Sequence, residues 1–134
     1  MLTEKDYCDK DLSLALKEAG YIGQGRCYCD LDKEPHKLRH FGIQVLTTRS
    51  AEALNFILAP KLYEAQKWLR EEKKIEVNAT YDNVVELHWH WYMKSLTNRN
   101  QAISIINHDS YEQALLAGIK EAVKILNEDE TIHR

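Results

Sequence analysis

Residues 84–94 are V-V-E-L-H-W-H-W-Y-M-K, an alternation of apolar and polar residues from Val85 onward. Val85, Leu87, Trp89, Trp91 and Met93 fall on every second position, with Glu86, His88, His90, Tyr92 and Lys94 between them. A period of two is that of a β-strand with one buried face. Two of the chain's three tryptophans stand in the apolar row, and large aromatic side chains dominate the energetics of a core. The other elements are therefore expected to cover that row and to leave the polar row facing the opposite way.

Just before it, Ile75, Val77, Ala79 and Tyr81 alternate with Glu76, Asn78, Thr80 and Asp82, which predicts a partner strand. Opposed residues of antiparallel strands share a face, so joining the two apolar rows requires paired residue numbers with an even sum. A three-residue turn Asp82-Asn83-Val84, with Asn83 able to take a positive φ, meets that condition and would pair Tyr81 with Val85 and Val77 with Trp89. Residues 102–107, A-I-S-I-I-N, predict a third strand.

Amphipathic helices flank the three strands. Pro60 suits the first turn of a helix, and Leu62, Ala65, Trp68 and Leu69 share a face opposite Lys67, Arg70 and Glu71 until about Lys74. Asp109 or Ser110 can cap the last helix, because Glu112 and Gln113 each stand three residues beyond one of them. That helix carries Tyr111, Leu115, Gly118, Ile119, Ala122 and Leu126 on one face, widened by Leu116 and Val123. The charged tail 128–134 is expected to fray.

In the N-terminal part, Thr3 and Asp6 resemble a helix entrance, and Cys8, Leu12, Ala15, Leu16 and Ala19 follow at helical spacing. A helix over 4–19 is expected, closed by Gly20 in the left-handed conformation with Tyr21 and Ile22 folding back on its last turn. Residues 26–30 (R-C-Y-C-D) and 41–48 (F-G-I-Q-V-L-T-T) read as strands, and 50–58 as either a short helix or a packed loop. The fold class is thus α+β: a mostly antiparallel sheet with helices packed on one face, in α-β-β-β-α order over residues 60–127. At 134 residues, with 1–59 as its N-terminal region, one domain is expected.

Acidic residues outnumber basic ones, 21 to 18, which supplies no general attraction to nucleic acid or to an acidic membrane. No apolar run approaches the roughly 18 residues needed to span a bilayer, and the charged start M-L-T-E-K-D-Y lacks the pattern of an export signal. Three cysteines, Cys8, Cys27 and Cys29, make an odd count that suits reduced thiols in a cytoplasm better than a disulfide framework.

T-E-K-D-Y at residues 3–7, K-W-L-R-E-E at 67–72 and Y-E-Q-A-L-L-A-G-I-K-E-A-V-K-I-L at 111–126 together resemble a group of small uncharacterised proteins of Bacteroidetes genomes and their phages or prophages. The resemblance covers the two ends and the central helix but not residues 29–57. It implies no activity, because no catalytic or binding residue is assigned in that group and none transfers to this chain.

Two constellations could carry chemistry. Cys27 and Cys29, followed by His36 and His40, offer the ligand types zinc prefers, although familiar sites space their paired ligands two to four residues apart. The plain alternative is a pair of inert thiols on one packed strand face. Glu86, His88, His90 and Tyr92 project from a single face of the tryptophan strand, where two imidazoles and a carboxylate could bind a metal or move protons. The same row equally suits the polar face of an amphipathic strand used for recognition. No phosphate loop, nucleophile elbow, H-E-x-x-H or dinucleotide fingerprint completes a mechanism, so no catalytic residue and no cofactor are expected.

The α-β-β-β-α order is that of double-stranded-RNA-binding domains. Basic and acidic residues are equal in number between 61 and 126, however, and the last helix opens with D-S-Y-E where a phosphate binder would be basic. The leading expectation is a small cytoplasmic, non-enzymatic accessory protein, prophage-encoded, acting through protein contacts on the row Glu86, His88, His90 and Tyr92. An RNA- or DNA-binding module is second, and a metal protein or enzyme third.

Overall fold

The computed structural model of the chain describes residues 4–35, 37–41, 45–82, 88–97, 101–103 and 108–132. After a 3-10 turn at Glu4–Asp6 come α1 (Lys10–Glu18), β1 (Gln24–Gly25), β2 (Cys27–Asp30), β3 (Arg39–His40), β4 (Leu46–Thr47), α2 (Thr48–Ala53) and β5 (Phe56–Leu58). They are followed by α3 (Leu62–Glu72), β6 (Ile75–Asp82), β7 (His88–Ser95), β8 (Gln101–Ile103) and α4 (Tyr111–Ile132). The fold is α+β, and its strand pairs are antiparallel. They are distributed over three sheets, ordered β1-β4, β3-β2-β5 and β6-β7-β8. The chain forms two compact units, Met1–Lys61 and Leu62–Arg134, and the second contains the α-β-β-β-α run.

In the second unit β6 and β7 pair from Ile75 with Ser95 to Asp82 with His88. The sum is even, as the alternation requires, so Val77, Ala79 and Tyr81 stand opposite Met93, Trp91 and Trp89. The particular register differs from the expected one. Val77 faces Met93 rather than Trp89, Tyr81 faces Trp89 rather than Val85, and Asp82 belongs to the strand instead of opening a turn. Parity alone could not distinguish these registers. The observed one brings the Tyr81 and Trp89 rings to 5.1 Å at a tilt, a contact of the kind that contributes about 0.5–1.5 kcal/mol beyond burial. Asn83, Val84, Val85, Glu86 and Leu87 lie outside the described residues.

Helix α4 lies directly on the apolar face. A Cβ built on Gly118 would meet Val77 Cγ1 at 2.8 Å and Trp91 Cβ at 2.9 Å, so only glycine lets the helix backbone approach this closely. Ala114, Leu115, Ile119, Ala122 and Val123 are buried around that contact. Ser110 caps the helix by accepting from the N–H of Gln113 at 3.2 Å, and the Gln113 side chain accepts in return from the N–H of Asp109. The helix runs to Ile132.

Helix α3 buries Leu62, Ala65 and Leu69 and leaves Trp68 half-exposed, with the Lys73 ammonium 5.5 Å from the indole centre. Gln66 Nε2 donates to the carbonyl of Val77 at 2.7 Å and to Asn78 Oδ1 at 3.0 Å, which ties α3 to the outer edge of β6. β8 pairs Gln101, Ala102 and Ile103 with Lys94, Met93 and Tyr92. The rest of the third strand expected to Asn107 lies outside the described residues, and His108 pairs with Trp89.

In the first unit the helix begins at Lys10, not at Glu4. Asp9 takes the cap position, its carboxylate accepting from Leu12 N–H at 2.9 Å, while Tyr7 is held in a bridge to Lys61 and Cys8 N–H bonds Pro60 at 2.8 Å. Thr3 lies outside the described residues. The far end follows expectation: Gly20 has φ 102°, its N–H bonds Lys17, and Tyr21 N–H bonds Leu16, the paired bonds of a Schellman cap. Ile22 does not fold back, being 83% exposed.

Of the strand expected over 41–48, residues 42–44 lie outside the described residues, Leu46–Thr47 form β4, and Thr48 opens α2, which Thr47 and Ser50 start with a reciprocal capping box. Residues 50–58 contain both the end of that helix and the strand β5. Tyr28 stacks on Phe56 with centroids 4.2 Å apart, Phe41 meets both rings edge-on, and these aromatics pack against Leu46, Ala51 and Leu58. Among the described residues no helix is long and apolar enough to cross a membrane.

Candidate interaction surface

β7 is the central strand of its sheet, so alternation sends its two side-chain rows to opposite faces. With Trp91 under α4, His90, Tyr92 and Lys94 occupy the other face, each half-buried. The ladder sets Thr80, Asn78 and Glu76 of β6 opposite them in turn, and brings Ile103 and Gln101 of β8 beside Tyr92 and Lys94. Thr80 and Gln101 are exposed, and Ile103 is exposed by 68%. The result is a mixed surface in which an imidazole, a phenol, amides, an aliphatic side chain and an opposed Glu–Lys pair lie within one sheet face.

Of the four residues expected on this surface, the structure places His90 and Tyr92. Glu86 lies outside the described residues, and of His88 only the backbone, paired with Asp82, is described. The row's neighbours on β6 and β8 were not among the expected site residues. Their signal was present in the same alternation: Asn78 and Thr80 are the polar positions of their strand, and Ile103 is an apolar residue whose row could be assigned only once the register of β8 was known.

The cysteine and histidine cluster is partly assembled. Antiparallel pairing of β2 with β3 puts Cys27 directly opposite His40, with Sγ 3.5 Å from Nδ1, close enough for a thiol–imidazole hydrogen bond. Cys29 lies on the same strand face but opposite Ile57, and both thiols are buried, at 3% and 2% exposure. His36 lies outside the described residues. Among the described residues no three His, Cys, Asp or Glu side chains come together as a metal would require. Cys27 and His40 therefore make a buried thiol with an exposed imidazole beside it.

No family model matches this chain, and neither a curated protein nor a solved structure is found to match it.

Proposed function

We propose that the protein is a non-catalytic accessory protein that binds a protein partner through the face of the C-terminal sheet bearing His90, Tyr92 and Ile103. The observation that supports this reading is the one-sidedness of the sheet. α4 lies against Val77 and Trp91, whereas the opposite face keeps partly exposed aromatic, imidazole and aliphatic groups. Aromatic and apolar groups mixed with neutral hydrogen-bonding groups suit a protein contact better than a polyanion. A cytoplasmic setting, consistent with three free thiols, and a prophage origin, consistent with the sequence resemblance, belong to the same proposal.

The order α3-β6-β7-β8-α4 favours nucleic-acid binding as the second reading. It ranks lower because Asp109 and Glu112 place negative charge at the α4 N-terminus, where a phosphate would need to approach.

The variant His90→Ala, Tyr92→Ala tests the choice. It should stay folded with a lowered thermal midpoint, each half-buried side chain costing about 1 kcal/mol, while capture of a specific partner from host lysate is lost. Capture that survives in the folded variant refutes the assigned face. Salt-dependent retention of the wild type on a nucleic-acid column would replace the reading with the second one.

A further inference from the structure

The two edges of the C-terminal sheet are finished differently. Along β6, the carbonyl of Val77 points away from β7 and accepts from Gln66, so α3 caps that edge at Val77. In an antiparallel ladder, a residue that turns its N–H and C=O away from one neighbouring strand turns them toward the other side. Leu96, just after β7, bonds Lys74 on the β6 side, while Trp89 exchanges both of its bonds with His108 on the β8 side. Odd-numbered residues of β7 therefore address β8. Met93 addresses its register partner Ala102, and the backbone groups of Gln101 and Ile103 point outward from the sheet. All three β8 residues are exposed, and among the described residues no strand lies beyond β8.

The residues of β8, Q-A-I, carry no charge, no proline and no glycine. Natural edge strands are usually protected by lysine, proline, a bulge or a covering element. Here the covering element is on the other edge. We infer that the outer edge of β8 pairs antiparallel with β8 of a second copy, about a two-fold axis at Ala102, and joins the two sheets into one.

The pattern of the strand specifies a second copy. Gln101 and Ile103 flank Ala102 symmetrically, so the axis sets Gln101 of each copy opposite Ile103 of the other, and each such pair exchanges two backbone bonds. At the axis, Ala102 meets its own copy in the close type of pair, roughly 4.5 Å between Cα atoms, where a methyl group fits. An uncharged strand meets its copy without the like-charge penalty that opposed lysines or glutamates would bring. A two-fold contact uses the β8 edge of both copies at once, so addition through it stops at two. The contact is short beside a standard interface of about 1,600 Å², so association depends on concentration. This pairing uses the backbone edge of β8 and stands without the partner face proposed above, although Ile103 belongs to both.

Sedimentation equilibrium of the full chain, from low-micromolar to near-millimolar concentration, should show the mass climbing from 15.7 kDa toward twice that value and levelling there. Ile103→Pro removes an outward N–H and no internal ladder bond, and Ile103→Lys places a charge on the edge; both should remain monomeric with the urea midpoint of dilute wild type. Thr80→Lys, on the same face but at the β6 side, should associate as wild type does. Ala102→Cys should form an interchain disulfide on mild oxidation, whereas Ile103→Cys should not, its two copies being diagonal neighbours roughly 7–8 Å apart. A wild type that stays monomeric, a mass that climbs without levelling, association undiminished in both Ile103 variants, or crosslinking through Ile103→Cys instead of Ala102→Cys would each overturn the pairing.

Discussion

Trp89→Ala is expected to lower the urea midpoint far more than Lys67→Ala. The Trp89 indole lies in the apolar row of β7, with the Tyr81 ring at 5.1 Å and the Tyr111 ring meeting it edge-on at 5.5 Å. Truncation removes both aromatic contacts and opens space between β6 and the start of α4. Because the indole is half-buried, the loss falls at the lower end of the usual range for such truncations, about 3 kcal/mol. That is a large share of the roughly 5–15 kcal/mol that stabilises a domain. Lys67 sits on the exposed side of α3, and its removal is expected to stay within about 0.5 kcal/mol. Equal midpoints for the two variants would show that the tryptophan row is not the core.

Gly118→Ala is expected to destabilise the protein even though alanine is the better helix former. In a solvated helix interior the exchange would gain about 1 kcal/mol. At position 118 the new methyl would stand 2.8 Å from Val77 Cγ1 and 2.9 Å from Trp91 Cβ. Neither atom can give way easily: Val77 is fully buried, and a Cβ moves only with its own strand. The helix must lift from the sheet, loosening Ala114, Ile119 and Ala122 on either side of the contact. A net loss of about 1–3 kcal/mol follows, measurable as a fall in thermal midpoint. A gain would mean that α4 does not approach β6 and β7 at this residue.

What could be read from the sequence was local and periodic. The cap at Gly20 was legible because a left-handed residue after an apolar helical run is nearly always glycine. The faces of β6 and β7 were legible because alternation over eight residues leaves little ambiguity. Features settled by distant partners were not. The register of the hairpin depends on which aromatic pairs meet, and parity admits several answers. The late start of α1 depends on Tyr7 bridging Lys61, a contact that no local spacing announces. β3 and β4, two residues each, are too short to show a period. The same distinction applies to the candidate sites. His90 and Tyr92 followed from alternation alone, whereas the meeting of Cys27 with His40 required the pairing of β2 with β3, and the exposed position of Ile103 required the end of the sheet to be known.

The placement of two rare residue types has a practical consequence. Trp68, Trp89 and Trp91, the only tryptophans, all fall in Leu62–Arg134, while Cys8, Cys27 and Cys29, the only cysteines, all fall in Met1–Lys61 and are almost wholly shielded from solvent. Indole emission therefore reports on one unit and thiol trapping on the other. An unlabelled, unmutated sample carries a separate optical and chemical clock for each, so the order in which the two lose structure can be timed within a single denaturation experiment.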